Sequence, residues 1–162
     1  LNLVWMEEPL ASDRPTAEWA ALAAAAPMPL AAGENLGNRA AFDAAIAGSG
    51  LGFLQPDICK WGGLSGCLAI ARAAEAAGLT YCPHFLGGGV GLVASAHLLA
   101  AVCGKGLLEV DSSENPLLAV LSGRGFGLEG GLFALPSGPG LGYEPDVAAV
   151  ADMLVSRAEV RL

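Results

Sequence analysis

Charge is scarce in this chain and uneven in sign. Only 15% of its 162 residues are Asp, Glu, Lys or Arg, where about 25% is usual for a solvated globular surface. Sixteen acidic against eight basic residues give a formal net charge of −8. A nucleic-acid partner needs a positive stripe and none exists, and an anionic membrane is disfavoured for the same reason. The four cysteines, Cys59, Cys67, Cys82 and Cys103, are 8, 15 and 21 residues apart with no CxxC pair. That spacing excludes the usual structural zinc and dithiol motifs, and four reduced, mostly buried thiols in a cytoplasmic protein are expected. No GxGxxG or Walker pattern occurs, so Gly62-Gly63 and Gly87–Gly89 read as tight loops rather than phosphate cradles. No basic n-region of a signal peptide stands at the start. The uncharged stretch Phe85 to Gly104 has the length of a membrane span. It holds His97 and five glycines, and a buried helix entered through a glycine loop is expected instead.

What is present is apolar: 54% of residues, too many for a disordered segment. A chain of this length buries about 70% of its unfolded surface in one domain. Short apolar runs recur at Leu3–Met6, Met28–Ala32, Leu51–Leu54, Leu79–Cys82 and Leu107–Val110. They are continuous rather than alternating, which suits parallel strands covered on both faces. Between them lie alanine-rich helical stretches. One opens near Arg14-Pro15 or Thr16 and ends before Pro27, a second is capped by Asn38 and stops at Gly48, a third covers about 65–77 and a fourth about 91–102. Strand, helix and strand in repetition predict an α/β fold with a parallel sheet. After Val110 the pattern breaks into a polar loop (111–116), a glycine-dense stretch (123–131) and a Pro/Gly turn segment. A weak helix capped by Asp146 is expected to run to about Val155.

The first notable polar residue after each strand is Glu7, Glu34, Asp57, His84 or Glu109, at intervals of 27, 23, 27 and 25 residues. One βα repeat separates each pair, so all five are expected on the C-terminal rim of the sheet, where parallel α/β proteins bind ligands. Four carboxylates converging there repel unless a cation or shared protons compensate. A hard divalent cation such as Mg²⁺ takes carboxylate oxygens, and Glu7 and Glu34 are the natural pair. Asp57 and His84 suit a different partnership. A carboxylate accepting one ring N–H fixes the tautomer and raises the basicity of the other nitrogen, as a general base or acid requires. Glu8 is expected to turn away from the rim, since adjacent strand residues face opposite ways. His97 reads as a satisfied structural histidine, and Lys60 either touches the rim or screens its acidic neighbours.

The motifs Trp5-Met6-Glu7-Glu8-Pro9-Leu10, Ala32-Gly33-Glu34-Asn35, Leu54-Gln55-Pro56-Asp57, Lys60-Trp61-Gly62-Gly63-Leu64, Cys82-Pro83-His84-Phe85 and Leu108-Glu109-Val110-Asp111 stand in order over residues 3 to 118. Together they resemble the enolase superfamily, and within it the mandelate racemase-like subgroup. The resemblance implies the C-terminal portion of a TIM-like (β/α)7β barrel, strands four to eight. It assigns residues 1–135 to a partial barrel and 136–162 to a return segment and helix. It implies Mg²⁺ held in part by Glu7 and Glu34, an Asp57–His84 catalytic dyad, and Glu109 as a hydrogen-bond donor to a substrate carboxylate. Lys60 and Asn35 are substrate-pocket candidates. The family's other metal ligand, its strand-two lysine and its capping domain have no counterpart here. The chain is therefore expected to be the C-terminal part of a longer protein, inactive and poorly soluble when alone. The full-length protein would be a homo-oligomer.

The chemistry so implied is proton abstraction beside the carboxylate of a small acid sugar or hydroxy acid, most often followed by dehydration. Racemisation or epimerisation, or sugar-lactone cycloisomerisation, would use the same residues. A non-catalytic α/β scaffold is the reading from outside enzymology, with no nucleic acid and no membrane as partner in any of the three.

Overall fold

The structure is a computed structural model that describes residues 2–123 and 127–160. Four short parallel strands, β1 (Met6–Glu7), β2 (Leu30–Ala32), β3 (Phe53–Leu54) and β4 (Thr80–Tyr81), lie side by side in chain order. The helices between them are α1 (Thr16–Ala25), α2 (Arg39–Gly48) and α3 (Gly63–Ala76), and α4 (Gly89–Val102) follows β4. Sequential order in a parallel sheet with a helix after every strand is how a β/α barrel is wound. The register pairs Glu7 with Ala31, Ala32 with Leu54 and Leu54 with Tyr81. The hydrogen bonds run one step past each strand: Glu8 N donates to Ala31 O, Gln55 N to Ala32 O and Cys82 N to Leu54 O. Backbone pairing thus carries order up to the residues on the rim.

Side chains alternate across these strands. Leu30, Ala32 and Leu54 pack outward with Trp19, Phe42, Ile70 and Ala74 from the helices. Tyr81 faces the same layer, against Cys67, Ala71 and Leu98. Each fully buried Leu or Phe contributes about 1.5–3 kcal/mol, which fixes the helices on the sheet. Phe53 and Gln55 occupy the opposite face, the one that carries Glu7. The second helix begins as its sequence predicts, with Asn38 Oδ1 accepting from Ala41 N at 2.9 Å. The third and fourth helices start two residues earlier than expected. Gly62, in the left-handed region at φ +70°, turns the chain directly into α3. At Gly89 a Cβ would lie 2.1 Å from Ser122 N, so only glycine lets the start of α4 meet the chain there.

Several expectations are corrected. Residues 107–110 do not form a strand. Glu75 Oε1, from α3, accepts the Tyr81 N–H at 2.9 Å, so the outer edge of β4 already has its partner, and Leu107 N donates to Cys82 Sγ instead of a ladder carbonyl. A helix α5 (Pro116–Leu121), unforeseen in the sequence, is capped by Asn115 with proline in its first turn. The glycine-dense stretch includes a hairpin of β5 (Leu128–Glu129) and β6 (Leu132–Phe133), closed by Gly130 and Gly131 at φ +58° and +79°. The last helix is a 3-10 helix, Ala148–Met153, with Asp146 Oδ1 accepting from Ala149 N. The thiols are all free, but only Cys67 and Cys82 are buried, and Cys59 and Cys103 are exposed. Among the described residues no helix is long and apolar enough to cross a membrane.

Glu75 is open to a direct test. Glu75→Ala leaves the Tyr81 amide without an acceptor and is expected to lower the unfolding free energy by about 1–3 kcal/mol, read by urea denaturation. Glu75→Gln keeps an acceptor oxygen and should lose less; equal losses would contradict the cap.

Candidate functional site

The rim is assembled by the ends of the four strands and the segment after α4. His84, three residues beyond β4, is 6% exposed, and Asp57, just after β3, is 3% exposed. Asp57 Oδ2 accepts from His84 Nδ1 at 2.8 Å. Its other oxygen, Oδ1, accepts the Cys59 N–H at 2.7 Å. Asp57 is therefore held at both oxygens, and the ring's Nδ1 carries the proton. The second ring nitrogen, Nε2, lies against Glu34 Oε2. Glu34 is further contacted by Lys60 Nζ at 3.4 Å and by Asn35 Nδ2 at 2.8 Å. Asn35 Nδ2 also donates to Glu8 Oε2 at 2.6 Å.

An imidazole between two carboxylates favours its protonated form. Burial alone would push the His84 pKa down, but the hydrogen bond to Asp57 and the charges of Glu34 and Glu109 outweigh it, and the pKa is raised above its ordinary 6.5. Burial likewise opposes ionisation of Asp57. The bonds from His84 and from the Cys59 amide prevail, and its pKa is lowered below 3.8. Glu109 goes the other way. Burial and then the negative charge of Glu7 raise it above 4.5, against the opposing effect of His84 and the Phe85 amide. That amide donates to Glu109 Oε2 at 3.1 Å. A carboxyl with a raised pKa is suited to donating a hydrogen bond.

Glu7 ends β1, and Glu34 stands two residues beyond the neighbouring strand β2. Both are hard oxygen donors of the kind Mg²⁺ takes. Among the described residues no group of three or more His, Cys, Asp or Glu side chains is arranged to hold a metal ion, so this chain offers two carboxylates rather than a complete ligand set. Glu8 stays tied to the mouth through Asn35 Nδ2, which it shares with Glu34. Its backbone is left-handed at φ +38°, and it lines a cavity of about 130 Å³ with Trp19, Leu36 and Leu51. His97 Nε2 donates to Leu141 O at 3.1 Å, tying the Pro/Gly turn segment to α4. The mouth thus brings Glu7, Glu34, Asp57, His84, Glu109, Lys60 and Asn35 into one linked set.

Residues 1–150 match the enolase C-terminal domain-like family. The chain belongs to that family. It is 34% identical over 155 residues to a D-galactonate dehydratase of Ralstonia nicotianae, covering 92% of this chain and 40% of that protein. It is 31% identical over 148 residues to a D-galactarolactone cycloisomerase of Agrobacterium fabrum, covering 86% of this chain and 39% of that protein. A solved mandelate racemase/muconate lactonizing enzyme of Bordetella bronchiseptica RB50 superposes with a TM-score of 0.83 at 55% identity, covering 94% of this chain and 43% of that one. The chain thus spans about 40% of the length of the curated relatives it matches. Members of the family generally use Mg²⁺.

Sequence reasoning passed over two residues of this network. Gln55 Nε2 donates to Glu7 Oε2 at 2.8 Å, and Trp5 Nε1 donates to the same oxygen at 3.1 Å. Gln55 carried a readable signal, being the first polar residue after Leu54. The Trp5 contact spans only two positions and becomes visible once β1 is seen to put both side chains on one face.

The two shifted pKa values set a pH window. His84 binds its proton more tightly in the folded state, so its contribution is complete below 6.5 and is lost as pH rises through the raised value. Asp57 contributes above 3.8, and its share is lost as pH falls through the lowered value. The stability difference between wild type and Asp57→Asn should be greatest between these two pH values and shrink on either side. Denaturation midpoints across pH check this, and a difference independent of pH would contradict the pairing.

Proposed function

We propose that the full-length protein abstracts the proton beside the carboxylate of an acid sugar and eliminates the neighbouring hydroxyl as water, using Mg²⁺. The observation that supports this most is the buried Asp57–His84 pair facing Glu34 and Glu109 at one mouth. The dehydratase relative at 34% identity favours elimination over other outcomes of the same first step.

Removing a proton next to a carboxylate places a second negative charge on an anionic group. Mg²⁺, when bound, supplies positive charge against those carboxylate oxygens, and Glu7 and Glu34 are the residues of this chain that would hold it. Glu109, whose burial makes it hold its proton more tightly, would donate a hydrogen bond to the oxygen on which charge develops. Asp57 takes Nδ1–H, and Nε2, which lies against Glu34 in this structure, would accept the substrate proton once freed from that contact. The same imidazole, once protonated, is an acid able to pass that proton to the departing hydroxyl, so the ring ends the cycle as it began. Lys60 and Asn35 border Glu34 at the open side of the mouth and are placed to meet substrate hydroxyls.

A second reading has its own support in the cycloisomerase relative. A lactone oxygen instead of a hydroxyl would then leave or attack. Incubating the full-length protein and Mg²⁺ with a panel of mono- and diacid sugars separates the two by mass. Dehydration appears as loss of one water, and cycloisomerisation leaves the mass unchanged. Loss of water that stops on chelation with EDTA and returns with Mg²⁺ is expected. Turnover indifferent to chelation would overturn the proposed role of Glu7 and Glu34.

A further inference from the structure

Glu7 is exposed, yet it is held as firmly as a buried group. Both of its donors, Gln55 Nε2 and Trp5 Nε1, reach Oε2, and no described residue takes Oε1. Gln55 is only 1% exposed, and its own carbonyl oxygen is buried without a partner among the described residues. The amide cannot be turned to relieve this, because its oxygen would then face a carboxylate. Its backbone is fixed as well: Gln55 N donates to Ala32 O, and Gly33, at φ +145°, lies so close that a Cβ there would be 2.8 Å from Gln55 N. The Trp5 ring rests on Phe53, with ring centres 4.9 Å apart.

A buried amide with an orphaned oxygen destabilises a fold. An apolar side chain of similar length would pack there without that penalty, and water would satisfy the exposed Oε2 of Glu7. The arrangement is thus poor for stability and good for holding one carboxylate in one orientation. We propose that Gln55 and Trp5 are positioning residues, a two-donor clamp that ties up Oε2 of Glu7 and presents Oε1 to a divalent cation. The inference rests on the reading of Glu7 as a cation ligand. Partners that orient a metal ligand in this way typically change affinity by about 10–100-fold when removed.

The test measures Mn²⁺ affinity of the full-length protein by the electron paramagnetic resonance of free Mn²⁺, together with the melting temperature without metal. Gln55→Met is expected to bind Mn²⁺ about 10–100-fold more weakly and to melt no lower than wild type. Trp5→Phe, which keeps the ring on Phe53 but loses the N–H, should also bind more weakly with an unchanged melting temperature, and it decides the matter if Gln55→Met does not fold. Wild-type affinity in both variants, alongside loss of binding in Glu7→Gln, would overturn the clamp alone. Failure of the wild-type protein to bind Mn²⁺ would overturn the ligand reading and the clamp with it.

Discussion

Four parallel strands deliver several carboxylates and one imidazole to a single rim, and the mutual repulsion of those carboxylates is the constraint that orders the site. It is relieved in distinct ways. Burial would lower the pKa of His84, but its place between Asp57 and Glu34 raises it. Lys60 adds a more distant positive charge to Glu34. Glu109 yields by keeping its proton more readily. Glu7 has two neutral donors on one oxygen. Each solution holds a group in a defined pose, as a site that separates acid, base and ligand roles requires.

The backbone makes this possible through rigidity just beneath the rim. Ladder bonds continue one residue past each short strand, into Glu8, Gln55 and Cys82, and the outward faces of the same strands are locked into the helical layer. Glu75 takes the outer amide of β4, three residues ahead of His84.

Much of this was legible in the chain. Three of the five apolar runs contain a parallel strand and a fourth, Leu3–Met6, ends inside β1, and the repeat of about 25 residues placed their polar successors on one rim. Asn38 marked a helix start through its own chemistry. What escaped depended on tertiary competition. Leu107–Val110 reads as a strand by composition, but the outer amide of Tyr81 is taken by Glu75, more than thirty positions earlier and on a helix. The Asn115-Pro116 start of α5 was a local signal hidden behind a polar loop. Gln55 went unremarked because an amide beside a carboxylate gains meaning only when Glu7, on a strand two places away in the sheet, is seen to bond it. The early glycine starts of α3 and α4 reflect close approaches that no local propensity encodes.

The central claim is that His84, oriented by Asp57, moves the proton beside a substrate carboxylate. It is measured most directly by following, in deuterated water, exchange of that proton in a turned-over acid sugar by the full-length protein. The proposed chemistry predicts deuterium incorporation that falls by about 100- to 10,000-fold in His84→Asn with the circular dichroism spectrum unchanged. Incorporation at the wild-type rate in that variant would contradict it.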